Sequence, residues 1–63
     1  MKVYEWEEYF QNLDIEKHKA IAKALNQLVT IDKTIATEIK GLDELRIIAN
    51  YTLELKIKTL QSP

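Results

Sequence analysis

The stretch "EIKGLDEL" (residues 38–45) holds the only glycine of the 63-residue chain. Whether the backbone turns there decides between one long helix and a helical hairpin. A glycine behind Lys40 suits the left-handed position just past a helix C-terminus. Lys40 itself favours the negative end of a helix dipole, and Asp43 is of the type that caps a following helix. The rival is an unbroken helix, because Leu42, Leu45, Ala49 and Leu53 continue the upstream apolar stripe nearly in phase, and an interior glycine costs only about 1 kcal/mol relative to alanine. The hairpin is the preferred reading.

Upstream of the glycine, Ile21, Leu25, Leu28, Ile31, Ile35 and Ile39 follow one another at intervals of 4, 3, 3, 4 and 4. At 100° per residue they fall within an arc of roughly 120°, the width of a core-facing stripe. They predict an amphipathic helix over about 15–40, with Asp14 as its N-cap. Downstream, Leu45, Ile48, Ala49, Thr52, Leu53, Leu55, Ile57 and Leu60 make a helix over about 43–60 that is apolar around a wide arc. "YTLELKIKTL" (51–60) also alternates like a strand, but "DELRIIAN" leads into it without a breaker, which favours the helix.

Four of the five aromatic side chains crowd into "VYEWEEYF" (3–10), and only Tyr51 lies elsewhere. As a helix over about 3–13 this segment sets Val3, Trp6, Phe10 and Leu13 on one face and most of its carboxylates on the other. At about 1.5 Å per residue, the 15–40 helix is roughly 39 Å long and the 43–60 helix about 27 Å. The second therefore leaves the Ile15 end of the first uncovered. The aromatic helix is expected to turn back over that gap, with Phe10 near Lys17 and His18, Trp6 near Ile21 and largely buried, and Val3 near Ala24 or Leu25.

The expected fold class is thus all-α: one domain, a short N-terminal aromatic helix plus a long helical hairpin. A chain this small buries only about 60% of the surface it exposes unfolded. With no cysteine and one histidine, disulfides and a thiolate or histidine-rich metal site are unavailable to compensate. The broad apolar arc of the last helix then points to self-association, two hairpins forming a four-helix-bundle-like homodimer through Leu45, Ile48, Ala49, Thr52 and Leu55. No apolar run reaches transmembrane length, and the opening lacks the basic-then-apolar order of a signal peptide, so a cytoplasmic location and no membrane partner are expected.

Catalysis is not expected. The chain has no cysteine, a single serine at Ser62 and one imidazole at His18, too few groups to assemble a nucleophile with its base. Asp14 and His18 stand four residues apart but lack the Glu-x-x-His pattern of di-metal bundles. His18, between Lys17 and Lys19, is expected in solvent, and no cofactor is implied. Lys19, Lys23, Lys33 and Lys40 fall within an arc of roughly 100° opposite the apolar stripe, a face of about 32 Å that suits phosphates. "AIAKALNQLVTIDKTIA" resembles the cadence of a degenerate helix-turn-helix, with its turn after Leu25-Asn26. The net charge of −1 argues against a surface devoted to nucleic acid. Asp32 and Arg46, at the edge of the seam, are expected to pair across helices and fix register. The function expected is a small non-enzymatic helical interaction protein, an adaptor, regulator or assembly factor acting as a homo-oligomer. Its partner would be a second copy or another protein, and the alternative is a nucleic-acid-binding regulator.

Overall fold

A computed structural model describes residues 3–61, and side chains from Glu5 onward. The described chain is all-helical: α1 (Val3–Asn12), α2 (Ile15–Ile31), α3 (Ile35–Glu38) and α4 (Leu42–Gln61). The placement expected for Val3, and Ser62, lie outside the described side chains.

Asp14 caps α2 as expected, its carboxylate accepting from the Glu16 backbone N–H at 3.2 Å. The helix then stops nine residues before the expected Lys40. At Asp32 the backbone is extended (φ −144°, ψ 102°), and Oδ1 accepts from both the Thr34 N–H (3.0 Å) and the Thr34 hydroxyl (2.6 Å). Short polar side chains offer the backbone such local alternatives to helix. The flanking β-branched Val29, Thr30, Ile31, Thr34 and Ile35 weaken the helical competitor. The hydroxyl and the N–H of Thr34 hold the Asp32 carboxyl below its ordinary pKa.

The turn at Gly41 is present, with φ at +85°, in the region glycine reaches without a Cβ penalty. It follows a single helical turn, α3, rather than the end of a long helix. α4 starts at Leu42, so Asp43 lies inside its first turn instead of capping it. Residues 51–60 are helical, which settles the alternation of "YTLELKIKTL" against a strand.

The shortened α2 reverses the length comparison. At 1.5 Å per residue α2 is about 26 Å long and α4 about 30 Å, so α4 is the spine and no end of α2 waits for a lid. α1 lies chiefly along α4 and runs in the same direction: Trp6 shares a hollow with Leu42 and Leu45, whereas the Phe10 and Leu13 carbonyls meet Lys56 further along. α2 crosses the middle of α4, with His18 beside Ala49 and Thr52 and Asn26 beside Asn50.

The core is Phe10, Ala22, Leu25, Ile48 and Ala49, bordered by Trp6, Leu13, Ile21, Leu42, Leu45 and Leu53. Alanines at 22 and 49 let α2 and α4 approach closely. Phe10 lands at His18, as expected, with ring centroids 5.0 Å apart. Trp6 is only half-buried and stacks on Phe10 at 6.1 Å, over the start of α4. α1 and α2 pack on α4 and touch each other where Phe10 stacks on His18, which leaves the side of α4 that bears Ile47, Tyr51 and Leu55 uncovered.

Candidate functional site

The interior holds the least expected group. His18 is fully buried, not solvated beside its lysine neighbours, because its helical position faces α4 while Lys17 and Lys19 point outward. Its Nε2 lies 2.9 Å from the Ala49 carbonyl oxygen. A carbonyl can only accept, so Nε2 carries the hydrogen. The Thr52 hydroxyl, which donates to the Ile48 carbonyl at 2.7 Å, sits 3.2 Å from the same nitrogen as a second acceptor. Nδ1 is buried with no hydrogen-bond partner. Desolvation pushes the imidazole pKa below 6.5; the Ala49 carbonyl opposes that shift and the Lys56 ammonium adds to it. Asp14 is engaged in capping, and among the described residues no three His, Cys, Asp or Glu side chains cluster for a metal.

Three of the five residues expected to form an oligomer interface, Ile48, Ala49 and Thr52, are buried against the chain's own helices, and Leu45 is half-buried at the core border. Only Leu55 faces solvent. The free apolar face of α4 lies on its other side: Ile47 is 53% exposed, Tyr51 56% and Leu55 43%. The broad apolar arc was real, but α1 and α2 cover the half of it that includes the small residues. Ile31 and Ile39, expected in the stripe of one long helix, are exposed at 81% and 53% because the chain turns away at Asp32.

The four lysines do not share a helix face. Lys19 and Lys23 are on α2, Lys33 lies in the turn after it, and Lys40 follows α3. Lys19 and Lys23 line an open groove of about 730 Å³ between α2 and α4, over Ala22 and Leu53, with no carboxylate in its lining. Across it Asn26 and Asn50 exchange two amide hydrogen bonds of 2.9 Å each, and the Asn50 amide also donates to the Arg46 carbonyl at 2.7 Å. The helix-turn-helix reading fails at its turn, since α2 continues through Leu25-Asn26 to Ile31. Asp32 and Arg46 do not pair with each other: Asp32 holds Thr34, and Arg46 binds Asp43 at 2.7 Å three residues away on its own helix.

Besides the His18 contact with the Ala49 carbonyl, two further polar contacts were not anticipated from the sequence. One is the Asn26–Asn50 pair, whose only sequence signal is an asparagine at the margin of each apolar stripe. The other is Lys56, whose ammonium donates to the Phe10 and Leu13 carbonyls at 2.6 and 2.7 Å, closing the C-terminal end of α1. No helix among the described residues is long and apolar enough to cross a membrane. No protein-family model, curated protein or solved structure matches this chain, and its surfaces are what bear on its function.

Proposed function

We propose that this chain is a non-enzymatic helical interaction protein that acts as a homo-oligomer, an adaptor, regulator or assembly factor working through helix surfaces. The observation that carries this reading is the row of exposed Ile47, Tyr51 and Leu55 on α4. Side chains four residues apart on a helix are neighbours, and contiguous exposed apolar side chains mark association surfaces. Use of the single imidazole in the core supports binding over catalysis. Light scattering across a concentration series should show the mass rising toward twice that of the chain; a monodisperse monomer throughout would overturn the oligomer.

A second reading, nucleic-acid binding, keeps one observation in its favour: the carboxylate-free groove with Lys19 and Lys23 on its rim. Lys33 and Lys40 lie beyond α2, so the cationic face available to it is shorter than the expected 32 Å.

A further inference from the structure

The outer face of α4 is ordered about its centre. Ile47 precedes Tyr51 by four residues and Leu55 follows it by four; Glu44 precedes it by seven and Lys58 follows it by seven. All five side chains are exposed. At 100° per residue they fall within an arc of about 80°, on the side of α4 away from Ala49. We propose that two copies of this chain pair through this face of α4, antiparallel, about a two-fold axis at Tyr51. The proposal deepens the self-association reading and rests on it.

In that alignment each residue before Tyr51 meets the residue equally far beyond Tyr51 in the second copy. Ile47 packs on Leu55 of the second copy and Leu55 on its Ile47, while the two Tyr51 rings meet at the axis. Aromatic and aliphatic side chains thus form a dry centre with polar ends, the anatomy of a stable interface. Glu44 faces Lys58 of the second copy at one end, and the symmetry repeats the pair at the other, about 21 Å away by the helical rise. A parallel alignment would set Glu44 against Glu44 and Lys58 against Lys58, a like-charge arrangement that disfavours that orientation. Lys58 also contacts Glu54 of its own helix at 3.3 Å, a pair at the flank of this face that the Glu44 carboxylate of the second copy would join. Complementarity of this kind, with acid and base exchanged by one two-fold rotation, is what an isologous contact requires. An unrelated partner would need no such symmetry in the sequence.

The test is a charge exchange read by dimer dissociation constant, together with a crosslink at the axis. Glu44→Lys and Lys58→Glu should each weaken the dimer by about tenfold, because each creates two like-charge pairs. The double exchange should restore it. Tyr51→Cys should form a disulfide-linked dimer on mild oxidation at concentrations where the wild-type chain is dimeric. All three positions are exposed, and circular dichroism checks that each variant retains its helix content. A dimer that ignores both single exchanges, or that leaves Cys-substituted position 51 uncrosslinked, overturns this geometry while leaving self-association intact. A wild-type chain monomeric at every concentration overturns both.

Discussion

A buried imidazole with a bare nitrogen makes a definite statement about pH. Protonating His18 would place a charge and a second N–H in the core, where Nδ1 has no acceptor and the Lys56 ammonium bears on the same site. From α1 the ring is covered by Phe10, and no carboxylate is bonded to it. Its folded pKa is lowered, so the unfolded chain, titrating near 6.5, takes up the proton first. Stability is therefore full above about pH 6.5 and declines as pH falls toward the folded value. Chemical denaturation at pH 7.5 and 5.5 should show a lower midpoint at the acidic pH in the wild-type chain. His18→Phe, which keeps a ring against Phe10 without a titrating group, should flatten that difference; equal acid sensitivity in both would assign it to carboxylates. Nothing in the local sequence exposes this role. "EKHKA" is as polar a neighbourhood as the chain offers, and helical phase against a specific partner helix, not the identity of the neighbours, turned the ring inward.

Among the elements, α1 is attached by two kinds of contact: ring packing from Phe10 and Trp6, and the Lys56 ammonium on the Phe10 and Leu13 carbonyls. The last carbonyls of a helix lack intrahelical donors and carry its negative dipole end. A cation placed there satisfies both, and bonds to a charged donor contribute more than neutral ones. Lys56→Met should keep the aliphatic packing, lower stability by about 1–2 kcal/mol and shift Trp6 emission to longer wavelength as α1 loosens. A melt and spectrum identical to wild type would mean the aromatic contacts suffice. The existence of α1 and α4 was legible from apolar periodicity, as was the turn at Gly41. The end of α2 was not, because Ile31, Ile35 and Ile39 keep helical phase across a backbone that has left the helix. Periodicity records which side chains are apolar; Asp32 and Thr34 recorded the break, in a pattern that also occurs within helices.

For the molecule as a whole, charge is distributed rather than concentrated. α1 carries Glu5, Glu7 and Glu8, Lys19 and Lys23 of α2 line a groove on the far side of α4 from Leu55, and the total is −1. A nucleic-acid role would draw on Lys19 and Lys23 alone among the four lysines first considered. Few phosphate contacts mean a shallow salt dependence and weak binding. Gel shifts on generic duplex DNA and RNA at low salt should show no retained complex at concentrations where the chain self-associates. A complex at low salt that disappears at moderate salt and with Lys19→Glu would instead favour the second reading.

The pattern of apolar residues, one glycine and one cap was enough to specify an all-helical chain with an aromatic N-terminal helix and a reversal near residue 41. Those features follow from local forces: helical period, the φ range open to glycine, and side-chain oxygens beside backbone N–H groups. Which half of the α4 arc would be covered was a different matter. Ile48, Ala49 and Thr52 face α1 and α2 while Ile47, Tyr51 and Leu55 face solvent, although both sets are apolar enough for either place. Close approach at Ala22 and Ala49, the His18 contact with the Ala49 carbonyl and the Lys56 contact with α1 select one side. These contacts join residues more than twenty-five positions apart, and only packing brings such partners together.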